Sequence, residues 1–290
     1  MITAHSTEEI EDILGFVPSY LSIDSIPTEY RRLLWEESKQ ILLAEWNEDA
    51  ALNVAAATRD QLHTPVKEVI ERVVDRRTVP DPHIYNVVPF FSFVVFRLGL
   101  SVAACRYRLD GQYTHKAHAE ATEYGSIDLL EKSYDTEQLR PSAVHEGLQT
   151  TIPIAPDFPI ITPTDANRQI SNIYNDLRTA LRTPNVNTIF QALAVDPEFL
   201  SKVVAIQLAT YNRVPSQWRL ERWIRNQYAT TLLAKSNHRS HRRTLRSIGY
   251  ESHSIDRCAT HIRAFHENIG TLATTLLIAA TLLEHSTSGK

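Results

Sequence analysis

Two histidine pairs are the first groups in this sequence whose spacing could do chemistry. His115 and His118 are spaced i,i+3, as are His238 and His241, so one helix face could offer two imidazoles to a metal ion. Neither pair has a third ligand placed by sequence. Both lie in polar stretches and read as solvated faces, so no metal site is expected. The run HRSHRRTLR at residues 238–246 is a local basic cluster. It could meet an anion, a membrane surface or an acidic partner, or simply be solvated. Cys105 and Cys258 are far apart and form no CxxC or Cys/His cluster, which argues against a disulfide framework and a zinc site. There is no GxSxG elbow and no glycine-rich phosphate loop.

The remaining candidates are single polar residues set in apolar stripes. Asn187 and Thr188 stand in a turn that leads into Ile189, Phe190 and Leu193. They could face a ligand or cap the helix that follows. Asn86 stands at the start of a long apolar run and could likewise serve a ligand or satisfy backbone groups there. Asp24 could project between helices or cap the helix that opens near Pro27. Trp35 and Trp46 read as packing residues, with a pocket role as the alternative.

The elements that must position these residues are helices. After residue 165, Ile170, Ile173, Tyr174, Leu177 and Leu181 recur at helical spacing, with Thr164 or Asp165 as N-cap. Asp196-Pro197-Glu198 supplies a capping acid, a proline at the first helical position and an acid in the first turn. The stripe Phe199, Leu200, Val203, Val204 and Leu208 follows. No stretch alternates as a strand does. Pro141, Pro153, Pro156, Pro159 and Pro163 crowd one region, which predicts an extended surface connector. Residues 110–140 are polar and predict one short helix.

The two flanks of that connector share a layout. Residues 14–30 (LGFVPSYLSIDSIPTEY) can be laid over residues 181–199 (LRTPNVNTIFQALAVDPEF). Residues 83–100 (HIYNVVPFFSFVVFRLGL) can be paired with residues 264–283 (AFHENIGTLATTLLIAATLL). The expectation is an all-α fold of two pseudo-repeated halves: an N-terminal helical repeat over 1–110, a polar and Pro-rich connector over 111–165, and a C-terminal helical repeat over 166–290.

Composition sets the outer limits. At 290 residues the chain can bury a core without metal or disulfide staples. A net charge of −4 argues against a general nucleic-acid binder. The first residues, MITAHSTEEIEDIL, are acidic and amphipathic and do not read as a signal peptide. A cytoplasmic protein is expected. Residues 87–105 (VVPFFSFVVFRLGLSVAAC) are nearly long enough to span a bilayer, but Arg97 in mid-run would be costly in lipid. They read as a buried core helix, and the apolar run at residues 269–283 reads the same way.

Residues 170–200 (ISNIYNDLRTALRTPNVNTIFQALAVDPEFL) carry a recognisable pattern: the IYNDLR helix, the T-P-x-VN turn, the F-x-ALA stripe and the P-E-F-L helix start. In these motifs, and in the ending RAFHENIGTLATTLLIAATLLEH, the chain resembles the group I 2-haloacid dehalogenases, also named the halocarboxylic acid dehydrogenase family. The clear resemblance covers about 60 residues of the C-terminal half. It implies two helical pseudo-repeats, a homodimer, and an active site between the repeats. It also implies hydrolysis of a small 2-halocarboxylic acid without metal or organic cofactor. An aspartate acts as general base there, and the activated water displaces the halide at C2. The family's aspartate follows the VN turn, where this chain has Thr188 in place of a serine and Ile189 in place of the acid. Isoleucine cannot take a proton. Asn187, Thr188, Ile189 and Asn86 are the expected pocket residues, with Asp24 as a substitute base. The alternative is a non-catalytic helical scaffold that kept the fold and binds a small ligand or a protein partner.

Overall fold

The structure is a computed structural model and describes residues 4–14, 16–21, 27–74, 79–110, 159–181, 185–213, 217–235 and 241–287. Among these residues there are ten α-helices and no β-strand. In chain order they are α1 (Ala4–Leu14), α2 (Thr28–Leu42), α3 (Glu45–Val73), α4 (Ile84–Asp110), α5 (Arg168–Leu181), α6 (Thr188–Leu193), α7 (Pro197–Arg213), α8 (Gln217–Lys235), α9 (His241–Ser247) and α10 (Ser252–Thr287). The all-α expectation therefore holds. Asp24, His115, His118, His238, residues 111–140 and most of the proline cluster fall outside the described residues.

The two most apolar helices form the centre. α4 and α10 pack along each other, with α2 and α3 against α4, and α3, α7 and α8 against α10. Both are long and apolar enough to cross a membrane, yet the most apolar window of α4 is 89% buried and that of α10 is 72% buried inside the fold. Each fully buried Val, Leu, Ile or Phe contributes roughly 1.5–3 kcal/mol relative to exposure. The apolar run that could have faced lipid instead fills the core.

Arg97 belongs to that core. Its side chain is 1% exposed. Nε donates to Asn47 Oδ1 at 2.7 Å, and Nη2 donates to the Leu42 carbonyl at the end of α2. Glu48 lies 3.8 Å from Nη1, and the Phe93 ring faces the guanidinium. Burial lowers its pKa to about 10, so it stays charged at neutral pH. A charge in the middle of an apolar helix thereby fixes α4 to the α2–α3 corner. Gly99 and Gly270 allow equally close approaches. A Cβ on Gly99 would lie 2.4 Å from the Tyr228 ring, and one on Gly270 would lie 2.8 Å from the Glu221 carbonyl oxygen. α8 can cross both central helices because these positions have no side chain.

The buried threonines of α10 return their hydroxyls to their own helix. Thr275 donates to the Thr271 carbonyl and Thr281 to the Leu277 carbonyl, so these two hydroxyls are satisfied within the helix. Asp196 caps α7 as its sequence predicts, accepting from Phe199 N at 2.9 Å. Its other oxygen accepts from Asp81 N at 3.0 Å, 115 residues earlier in the sequence. The cap of α5 differs from expectation. Asn167 accepts from Ile170 N at 3.0 Å, while Thr164 and Asp165 lie in a turn closed by Asp165 N to the Thr162 carbonyl. The helix starts at Arg168 because Pro163 sets that turn first.

Candidate functional site

The turn after α5 brings Asn187 to the start of α6, so that Asn187, Thr188 and Ile189 face inward together. They form one wall of a cavity of about 60 Å³. The rest of the lining includes Phe16, Pro18, Ser19 and Tyr20, with one face of α4 at Phe91, Val95, Leu98 and Val102. Phe265, Ile269 and Leu272 of α10 close it. The spacing 91, 95, 98, 102 is a single helical stripe, and 265, 269, 272 is another. The cavity is therefore where the two apolar helices leave a gap, flanked by two turns about 170 residues apart in sequence.

One hydrogen bond ties the turns together. Ser19 Oγ donates to Asn187 Oδ1 at 3.1 Å. The Tyr20 hydroxyl and Ser38 Oγ are 2.7 Å apart, and burial pushes the Tyr20 phenol well above its ordinary pKa, so it stays neutral. The Phe16, Phe90 and Phe91 rings pack edge-on or tilted around the same end. The polar lining is thus Ser19, Tyr20, Asn187 and Thr188. No Asp, Glu, Lys, Arg or His lines the chamber among the described residues. Ile189 is 4% exposed. A lining of this kind can enclose a small, largely apolar molecule and hydrogen-bond one end of it. It cannot take a proton from water at residue 189.

A second, more polar cavity of about 220 Å³ lies on the other side of Asn187. Its lining is Asn185, Asn187, Thr260, His261, Ala264, Phe265 and Asn268. Asn187 and Phe265 belong to both cavities. Burial lowers the pKa of His261, so its ring is neutral at pH 7. Sequence reasoning missed this group and the wall at residues 16–20. Thr260, His261, Ala264 and Asn268 do share one face of α10, but that spacing marks any exposed helix face.

The other sequence candidates separate from the site. Asn86 is exposed in the first turn of α4, where its N–H donates to the His83 carbonyl at 3.0 Å. It lines neither of these two cavities. The inward stripe of α4 runs through Val87, Phe91, Val95 and Leu98, and residue 86 falls off that face. His241 is also corrected: it is buried, not solvated, with Nε2 3.5 Å from Glu37 Oε2. His241 and Leu245 form the one face that the short α9 turns inward, beside the buried Arg108–Glu37 ion pair. In the same basic cluster, Arg242 donates to the Leu109 carbonyl and to Asp256. Trp35 is a packing residue whose Nε1 donates to Glu9 at 2.8 Å, and Trp46 packs half-buried against the core. Among the described residues no group of three or more His, Cys, Asp or Glu side chains is placed to hold a metal ion.

No family model matches the sequence, and no curated protein matches it. Solved structures do. A D-2-haloacid dehalogenase mutant and a D-2-haloacid dehalogenase in complex with L-LA each superpose with a TM-score of 0.63. A mutant of D-2-haloacid dehalogenase with D-2-CPA superposes at 0.57. Each is 14% identical, and each alignment covers 98% of this chain and 91% of the other. At that identity the likeness extends to architecture: the chain has a fold like that of the D-2-haloacid dehalogenases.

Proposed function

We propose that this chain is a 2-haloacid dehalogenase-like protein that binds a small carboxylic acid, halogenated or not, in the chamber between its halves. In this reading the hydrolytic step of that family is lost at residue 189. The observation that carries it is the chamber itself. Asn187, Thr188 and Ile189 line it, and Ile189 fills the wall with hydrocarbon where the chemistry would need a base. Direct displacement of halide by water requires a group that removes a proton from that water. No lining residue among those described can do so at neutral pH. The reading needs no metal or organic cofactor, and it goes with a cytoplasmic homodimer.

Duplicated halves are part of the same proposal. Several helix contacts correspond in pairs, although that of α3 with α7 has no comparable counterpart in α2 with α8. α2 with α4 mirrors α7 with α10, and α3 with α4 mirrors α8 with α10. Likewise α2 with α3 mirrors α7 with α8, and α3 with α10 mirrors α4 with α8. A chamber on the axis relating the halves would then be inherited from the fold.

A second reading keeps the enzyme. Asp24 follows the chamber residue Tyr20 by four positions and could supply the base to a 2-haloacid hydrolase. The deciding experiment measures binding of both enantiomers of 2-chloropropionate by calorimetry, and halide release in parallel. Binding without release supports the first reading. Release that is lost in Asp24→Asn supports the second. Neither binding nor release refutes both, and leaves a scaffold for a protein partner.

A further inference from the structure

The apolar chamber holds only part of an acid longer than about two or three carbons. An engineered cavity of roughly 150 Å³ takes benzene, so about 60 Å³ accommodates about two or three carbons. The polar cavity of about 220 Å³ shares two walls with it, Asn187 and Phe265. The Phe265 ring lies between them: its centroid is 6.1 Å from that of Tyr20 on the chamber side and 6.1 Å from that of His261 on the polar side. Phe265 is only half-buried and lines both spaces.

The polar side presents hydrogen-bond donors. Asn187 accepts from Ser19 through Oδ1, which leaves its amide N–H groups for another partner. Asn268 gives one N–H to the Ala264 carbonyl and retains the second. Neutral His261 carries one ring N–H. No acidic side chain lines this cavity among the described residues. A carboxylate only accepts hydrogen bonds, so it matches such a lining, and no like charge opposes it.

Building on the small-acid reading above, we propose that the two cavities form one amphiphilic site. The carboxylate of a short straight-chain acid sits among Asn187, His261 and Asn268, and its hydrocarbon tail passes Phe265 into the apolar chamber. The ligand class is then a monocarboxylate of about four or five carbons: the carboxyl carbon, one carbon at the partition, and two or three in the chamber.

Calorimetry at pH 7 with acetate through heptanoate, and with butan-1-ol, tests this. Affinity should rise about fourfold per methylene from acetate to pentanoate and then stop rising. Butan-1-ol should bind more weakly than pentanoate by roughly tenfold or more, since it lacks the charged acceptor. His261→Phe should weaken every acid by roughly tenfold without changing the dependence on length. Val95→Ile should end the rise one carbon earlier. Thermal unfolding establishes that each variant is folded, and Asn268→Leu replaces His261→Phe if the latter is not. Acid binding that ignores chain length, or that is unaffected in both His261→Phe and Asn268→Leu, overturns the two-part site and leaves the small-acid reading standing. An alcohol that matches pentanoate overturns the assignment of a carboxylate. If no acid binds at all, the small-acid reading falls with it.

Discussion

Replacing Ile189 with Asp asks whether the chamber wall is as dry as its lining implies. The side chain is 4% exposed, with hydrocarbon neighbours at Val186 and Phe190 in the same turn. Removing it costs roughly 2 kcal/mol of lost burial. The new carboxylate must then be charged in an apolar wall or hold its proton. Desolvation of this kind raises a carboxyl pKa by up to 3–5 units. A shift of about three units, from roughly 4 to roughly 7, costs about 4 kcal/mol once the pH exceeds the raised value. Because the folded state then holds the proton more tightly than the unfolded state, stability falls as pH rises from about 4 to about 7 and levels off above that. Ile189→Asn loses the same burial without a charge and serves as the reference. Urea unfolding should find the Asp and Asn variants within about 1 kcal/mol of each other at pH 4.5, and the Asp variant about 4 kcal/mol weaker at pH 8. Equal stability at pH 8 would refute the argument, since it would mean that water or a cation reaches residue 189. Above its raised pKa the same carboxylate can accept a proton from water, so halide release from 2-chloropropionate should appear in this variant and grow with pH.

Two further predictions concern stability. Arg97→Ala removes the donor to Asn47 and to the Leu42 carbonyl and opens a gap beside Phe93, which should cost about 3–5 kcal/mol in urea unfolding. A loss below about 1 kcal/mol would show that Arg97 does not hold α4 to the α2–α3 corner. His266 is fully buried, takes a 2.6 Å contact from Arg106 Nη1 at Nδ1, and is held neutral by burial and by the charges of Arg106 and Arg225. With the folded pKa depressed, the unfolded state binds the extra proton. Stability should therefore fall by about 1.4 kcal/mol per pH unit below about 6.5 from this residue alone. His266→Gln should lack that part of the acid-side slope, and an unchanged slope would refute the assignment.

Much of the helical architecture was legible because helical periodicity is a local property. Ile170, Ile173, Tyr174 and Leu177 lie on one face wherever the helix is placed, and Asp196 caps its helix from three residues away. Arg97 marked residues 87–105 as a core helix because its charge is tolerable only with partners. The sequence did not name those partners, since Asn47 and Leu42 lie some 50 residues upstream. At the site, residues 187–189 stood out by their pattern, and the chamber does form against them. Its other wall, residues 16–20, was invisible because nothing local distinguishes a turn that meets Asn187 from one that meets solvent. Asn86 and Asn187 show the same limit. Both are asparagines leading into apolar helices, and residue type and spacing treat them alike. Which one faces the chamber depends on the rotation of α4 about its axis and on the docking of α6 against it. Packing across the whole chain decides those, as it decides that His241 is buried beside Glu37. Sequence determined which residues share a helix face; only the tertiary structure decided what each face meets.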